Sequence, residues 1–420
     1  MVGLSNSGIR AVLVVTVGGA AVGPAGALDV PLTVRERAGV DRAGEIVTVG
    51  VPIPAGAVLS DQHVAIAGVD GQFRTLATWG DGSVKWLLCS FPASIAANGS
   101  ATYRLVDGAG DAPPGELTVV QGSGAVTVTT GPLRFEMRSS GFNLFDSVWL
   151  DSDGDGAFAA AERIVAPRAS NGSVVEDRNG DLFTSAGGPP VVLAVEEVGP
   201  LRAVVRFEGM HGGPAGEHLA FSGRVYAHRG RRDVVVQYSQ TNLVPTDVVN
   251  GQPLCRWREG RGPHGGTQNS LWMEDLSLVT RVSLAGSPRF ALQGADASPV
   301  RSGPLASQAW LYQDSSGGPW WFVSEGTSMG GYQLRDGNVV LESGPRAEGF
   351  ADVSDDVRGL TVSVRHLWQD FPSKVMVGAD GTVTVGLMPR DFSLPFEHRP
   401  GERKTHWTLF YFHDGDAAAA

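Results

Sequence analysis

The chain has 420 residues, 42% of them hydrophobic, which is enough for two or three domains with sizeable buried cores. Its 44 acidic against 33 basic residues give a net charge of −11, which repels nucleic-acid phosphates and anionic lipid and argues against either as the main partner. Cys89 and Cys255 are too few and too far apart for a disulfide framework or a zinc centre, and each reads as a buried apolar residue.

Arg10 precedes the apolar run "AVLVVTVGGAAVG", and "AGA" at Ala25 to Ala27 supplies the small residues that a signal peptidase needs. Residues 1–27 are therefore expected to be a secretory leader, too short and too polar at its flanks for a membrane span. A buried N-terminal strand is the alternative. No second long apolar run follows, so membrane insertion is not expected.

Short alternating runs then recur between turn signals, as an all-β chain requires. The stretch at 106–116, "VDGAGDAPPGE", lacks an apolar period and contains Pro113-Pro114, the composition of a linker. The expected organisation is a small barrel over 28–106, a linker over 107–124, a large antiparallel β-sandwich over 125–414, and a frayed tail over 415–420. Trp79 and Trp86 bracket an Asp81-Gly82 hairpin in the first domain and read as core residues.

"DSDGDGAFAAAE", Asp151 to Glu162, has the ligand spacing of a calcium loop. Asp151, Asp153 and Asp155 converge carboxylates, Ala157 offers its carbonyl, Glu162 can bind through both oxygens, and Gly156 permits the sharp turn. The preceding "GFNLFDSVWL" reads as a strand, and only "GAFAAAERIV" looks briefly helical. A structural Ca²⁺ is therefore expected rather than the opening of a helix pair in a sensor. A solvated Asp/Gly turn is the alternative.

Further on, "LRAVVRFEG" puts Leu201, Ala203, Val205 and Phe207 on one face, and "GTVTVGL" does the same with Val383, Val385 and Leu387. Gly199-Pro200, Arg229-Gly230 and Asp380-Gly381 fall where hairpins should turn. Tyr226 and His228 share a side of their strand, and with His211 and Tyr238 they could line a sheet face, although a satisfied histidine is the commoner role. In "LTVSVRHLWQDFP" the alternation of Leu360, Val362, Val364, His366 and Trp368 reads as core packing with Trp368 as a plug. "GPWWFVSEGTSMGGY" must send Trp320 and Trp321 to opposite faces. The richest binding stretch is "CRWREGRGPHGGTQNSLW". Arg256, Arg258 and Arg261 supply carboxylate-binding forks, His264 a possible base, Asn269 a polar contact, and Trp257 and Trp272 flat faces for sugar stacking, all on a glycine-rich loop. A solvated basic loop is the competing reading. No phosphate-binding glycine loop, zinc spacing or G-x-S-x-G turn is present.

Several of these stretches resemble one family. "PLTVRERAGVDRAGEIVTVGVPIPAGAV" with "TLATWGDGSVKWLLCSF", through Arg42, Gly44, Glu45, Gly50 to Gly56 and Trp79 to Trp86, is similar to the N-terminal RIFT barrel of the exo-rhamnogalacturonan lyase-like polysaccharide lyases. "GPLRFEM", "GPLRAVVRFEGMH", "GRVYAHRGRRDVVVQYSQTN", "VRHLWQDFP" and "GERKTHWTLFYFH" resemble the same family's central β-sandwich. The resemblance covers nearly the whole chain after the leader. It implies a RIFT-type barrel followed by a large sandwich, in a secreted protein that binds or processes a polysaccharide, including an acidic pectic glycan. Members continue into a C-terminal helical toroid, and this chain stops at Ala420. Glycan binding without a complete lyase site is therefore the expectation, with His264 and Arg258 as the catalytic pair if the chain is active. A purely structural extracellular β-protein and a fragment of a full lyase are the competing expectations.

Overall fold

A computed structural model describes residues 13–18, 21–22, 27–244, 248–249, 252–253, 269–295, 298–317 and 330–415. Strands dominate throughout, and the register-matched pairs are antiparallel. Two compact units form. The first takes the chain up to Val119 together with Glu197–Val204 and Ala227–Arg231, and the second takes the rest.

In the first unit, Arg42–Pro52 pairs with Val84–Ile95, which pairs in turn with Gln72–Thr78. A second sheet joins Leu28–Glu36 to Ser100–Asp107 and Val64–Ile66. Alternation in "LDVPLTVRE" sends Val30, Leu32 and Val34 inward against Val47, Val49, Leu87 and Phe91, a core of mainly β-branched and aliphatic side chains. Cys89 lies fully inside it, as expected for a lone apolar cysteine. Leu13–Val17, part of the apolar N-terminal run, pairs antiparallel with Leu28–Glu36 and buries Val15 in the same core.

The two tryptophans expected in this core are not there. Trp79 is 37% exposed and Trp86 is half-buried. Gly82 does turn the hairpin, with φ of 85°. The turn holds Trp79 at the surface, where its indole N–H donates to the Ile53 carbonyl at 2.9 Å and Lys85 Nζ stands 4.6 Å over its ring.

Gln72 is the polar pin of this unit. Its Nε2 donates to Glu197 Oε1 at 2.9 Å and to the Arg202 carbonyl at 3.1 Å, and its Oε1 accepts from the amides of Leu201 and Arg202 at 2.9 and 2.8 Å. A side chain at Gly199 would collide with it.

In the second unit, eighteen described strands form one continuous hydrogen-bonded sheet, and a separate five-stranded sheet runs from Thr118–Gly122 to Arg163–Val165. The expected turns occur, with φ of 83° at Gly381 and, on the stretch 227–231 that joins the first unit, 72° at Gly230. Val205 and Phe207 are buried, as are Leu201 and Ala203 of the first unit and Val383, Val385 and Leu387. Phe142 and Phe145, on the stretch before Ser147–Leu150, pack on Phe207, Phe221, Phe410 and Phe412 with ring centroids 5.0 to 6.0 Å apart, which closes the core.

Trp368 is not a plug. The strand Gly359–Val364 ends before it, His366 takes a φ of 60° and is exposed, and Trp368 is half-buried. The Trp368 indole donates to Glu348 Oε1 at 2.9 Å, and Arg346 lies over its ring at 4.2 Å. Alternation fails here because the backbone leaves the extended region.

Replacing Gln72 by Leu should strand two backbone amides and two carbonyl or carboxylate partners in a buried place. It is expected to lower unfolding free energy by about 3 kcal/mol, measured by denaturant titration. A loss below about 1 kcal/mol would mean that water replaces the side chain.

Candidate functional site

The strand Asp233–Thr241 pairs with Arg403–His413 over nine positions, setting Tyr238 opposite His406 and Gln240 opposite Lys404. On the inward face the second strand reads Phe412, Phe410, Thr408, His406, Lys404, so the apolar core turns polar towards one end. His398, from Phe396–His398, joins this end, where its strand pairs with Leu271–Arg281.

A polar track results. Buried His211 contacts the Leu219 carbonyl through Nδ1 at 2.6 Å. Its Nε2 therefore carries the lone pair and accepts from Ser173 Oγ at 2.8 Å and Tyr238 Oη at 3.0 Å. His406 lies across from Tyr238, and Gln240 Nε2 donates to His406 Nε2 at 3.3 Å. Among the described residues, Gln240 Oε1, His398 Nε2, His406 Nδ1 and Thr408 Oγ1 are buried without a hydrogen-bond partner. Buried polar atoms left this way call for a partner, an ordered water or a ligand.

Burial governs the electrostatics. It pulls His211 down to about 4. It also pulls His406 down to about 3, helped by Lys404 and His398, and His228 down to about 3, helped by Arg202 and Arg231. His398 and Lys404 are lowered for the same reason, and burial raises the Tyr238 phenol. Lys404 is half-buried at the rim, where Asp370 and Glu402 favour its charge.

Of the residues singled out in the sequence, Arg256, Trp257, Arg258, Arg261 and His264 lie outside the described residues, as do Cys255, Trp320 and Trp321. Asn269 and Trp272 are described; Asn269 reaches the polar track through Asn242, and Trp272, whose neighbour Leu271 pairs with His398, points to the opposite face. Asn242 Nδ2 donates to the Asn269 carbonyl at 3.0 Å and to the His398 carbonyl at 2.8 Å, so residues 242 and 269, which flank the arginine-rich stretch, meet beside His398. Asn269 holds a left-handed φ of 67°. Trp272 is half-buried under Arg178 at 5.4 Å and pairs with Glu397. Tyr226 and His228 do share a side, but it is the face opposite Val225 and Ala227, away from the track. Tyr226 stacks there on Trp407.

The aspartate loop lies between strands, Ser147–Leu150 before it and Arg163–Val165 after it, with one short 3-10 turn at Ala160–Glu162. Carboxylate oxygens of Asp151, Asp153 and Asp155 lie within 4.8 Å of one another. Asp151 accepts from the amides of Gly154 and Gly156 at 2.8 and 3.0 Å, and Asp155 from Ala157 at 2.7 Å. Glu162 is engaged elsewhere. It takes the amides of Ser152 and Ala159 at 2.8 and 2.9 Å, and these hydrogen bonds, Ala159's first, hold its carboxyl below the usual range. Three of the four carboxylates thus converge, and Glu162 does not join them.

Residues 36–107 match the PcRGLX-like N-terminal RIFT barrel domain, and residues 117–244 match the PcRGLX-like protein central beta sandwich domain. Over these residues the chain matches the two PcRGLX-like domains in their family order. Tyr238, Gln240 and Asn242 fall within the matched sandwich, while His398 and His406 come from the chain beyond it. The chain is similar to the uncharacterized protein YetA of Bacillus subtilis (strain 168), 21% identical over 387 residues, covering 82% of this chain and 42% of that protein. It thus spans less than half the length of that curated relative. Among solved structures it resembles a glycosyl hydrolase family 38 protein from Enterococcus faecalis, with a TM-score of 0.50, 10% identity, and coverage of 95% of this chain and 46% of that one. An alpha-mannosidase from Enterococcus faecalis V583 gives a TM-score of 0.50, 10% identity, and coverage of 95% and 44%. At this identity the likeness is one of fold.

The buried histidines make stability depend on acid. Unfolded, each takes up a proton near pH 6.5, whereas folded His211, His228 and His406 resist it down to about 4, 3 and 3. Their contribution is complete above about pH 6.5. It is lost as pH falls towards those values, at about 1.4 kcal/mol per pH unit for each group. Unfolding free energy measured from pH 7 to 4 should fall with a slope approaching three protons, and H228N should reduce that slope by one. A flat profile would contradict the buried neutral assignment.

Proposed function

We propose that this PcRGLX-like chain is an exported carbohydrate-binding protein that engages a polysaccharide, including acidic pectic glycans, at the polar end of its sandwich. The observation that carries the reading is the cluster of four unpartnered buried polar atoms on Gln240, His398, His406 and Thr408, at the place where residues flanking the arginine- and tryptophan-bearing stretch meet. Sugars present dense hydroxyls that such atoms can satisfy, the Trp257 of that stretch offers a flat face for a ring, and Trp272 offers another on the adjoining face of its strand. The family match and the shared fold with glycosyl hydrolases support a carbohydrate role. In this reading Arg256, Arg258 and Arg261 attract carboxylates, Asn269 adds a polar contact, and His264 with Arg258 would serve β-elimination if turnover occurs.

A glycan array probed with the purified chain should show pectic ligands. Replacing Gln240 by Met and His406 by Phe together should abolish binding while leaving the melting temperature unchanged or higher, because their mutual hydrogen bond goes with both partners and two unpaired buried polar atoms go with it. Silence on the array, with melting lowered in the double variant, would favour a purely structural protein. Growth of unsaturated-uronide absorbance on rhamnogalacturonan, lost in H264A, would instead establish a lyase. The N-terminus of the native protein, read by mass spectrometry, is expected at Leu28.

For the aspartate loop we propose one structural Ca²⁺ held by Asp151, Asp153, Asp155, the Ala157 carbonyl and, after release from its amides, Glu162. Calcium neutralises the converged carboxylates when bound. The chain's own contribution is to pre-turn the loop through Gly154 and Gly156, whose φ values are 74° and 77°. Excess calcium should raise the melting temperature, and a chelator should reverse it. No heat of binding and no shift would leave an amide-bonded turn.

A further inference from the structure

Neighbouring strands of the large sheet align their residues in rows, and successive rows face opposite sides. One row runs Leu278, Val385, Val375, Leu311 and Leu334, each at most 1% exposed, and forms the core side. Ser173, which touches His211 of the polar track, pairs with Leu278 on that same side. The next row, Val279, Thr384, Met376, Trp310, Arg335 and Val340, therefore points away from both core and track. Val340 is 46% exposed and the other five are half-buried, so this row faces solvent.

Arg335 is held in a fixed pose on that surface. Its guanidinium stands 5.3 Å from the Trp310 ring centre, and its Nε donates to Gln333 Oε1 at 2.8 Å, which leaves the two terminal nitrogens as the remaining donor edge. Lys374 Nζ also lies 5.0 Å from the Trp310 ring, but Asp391 pairs with it at 2.7 Å, and Arg281 is paired with Asp380 at 3.4 Å. Among the described residues no carboxylate pairs with Arg335. We propose that this sheet face binds an acidic polysaccharide through one uronate, whose carboxylate takes the terminal nitrogens of Arg335 while its ring lies along Trp310, Met376 and Thr384. A guanidinium edge matches the two oxygens of a carboxylate, and its contacts with Trp310 and Gln333 limit the side-chain freedom lost on binding. One such guanidinium, on a chain of net charge −11, suits a ligand with spaced single charges and not the dense phosphates of nucleic acid. The inference rests on the glycan-binding reading and names a second contact surface, on the solvent side of the sheet.

Titration calorimetry on the full chain compares tri-galacturonate with its methyl ester, which keeps the rings and removes the charges. The acid should bind about tenfold or more tightly than the ester, and added salt should narrow that gap. R335Q should melt as the native chain does and bind acid and ester equally. R335K, which keeps the charge without the two-nitrogen edge, should retain only part of the preference. An acid preference unchanged in R335Q, or an ester bound as tightly as the acid by the native chain, overturns the inference and leaves the glycan-binding reading intact. Failure of both ligands to bind the native chain overturns the two together.

Discussion

The pairing of Asp233–Thr241 with Arg403–His413 is the constraint on which the second unit depends. It joins residues more than 160 positions apart, so its closure entropy is met only when the whole sheet forms. The face that buries Val234, Val236, Phe410 and Phe412 at one end carries Tyr238, His406, Gln240 and Lys404 at the other. A slip of one residue would turn every one of these side chains to the opposite side. Core and polar track are therefore one surface, and the register that stabilises the fold also aims the polar groups.

That continuity explains how much could be read beforehand. The β-class, the hairpin turns at Gly230 and Gly381, and the inward faces of "LRAVVRFEG" and "GTVTVGL" follow from local alternation and local backbone need, so one sequence suffices. The polar track was not visible in the same way. Gln240, His398 and His406 lie on separate stretches, and only tertiary pairing brings them together. A signal did exist: Lys404, His406 and Thr408 alternate on the face continued by Phe410 and Phe412, a polar interruption of an apolar stripe inside a segment that also carries the family resemblance. The tryptophans misled for a related reason. Size and hydrophobicity suggest burial, but Trp79, Trp86 and Trp368 sit at or beside turns, and Trp79 and Trp368 have indole N–H groups that find surface acceptors.

The aspartate loop is tied to the rest of its unit from the far side. Arg358 donates to the carbonyls of Arg163 and Ala161 at 3.0 and 2.9 Å, and Asp355, in the same turn, gathers the amides of Gly286, Val357 and Arg358 at 2.6 to 2.8 Å. The loop's exit is thereby fixed while Asp153 and Asp155 face outward and Asp151 is buried. Such a loop suits a fastener more than a moving part, in keeping with the strands on either side of it.

Gln72 has a meaning beyond its hydrogen bonds. The first unit is assembled from three separate stretches, and the segment it grips, Glu197 to Arg202, belongs in sequence to the middle of the sandwich. The proline pair at 113–114 looks like a seam, yet cutting there would strip the barrel of material encoded some eighty codons downstream. The barrel is therefore not an exchangeable cassette. Recombination at the apparent linker would yield two incomplete folds, which favours inheritance of barrel and sandwich as a single genetic block.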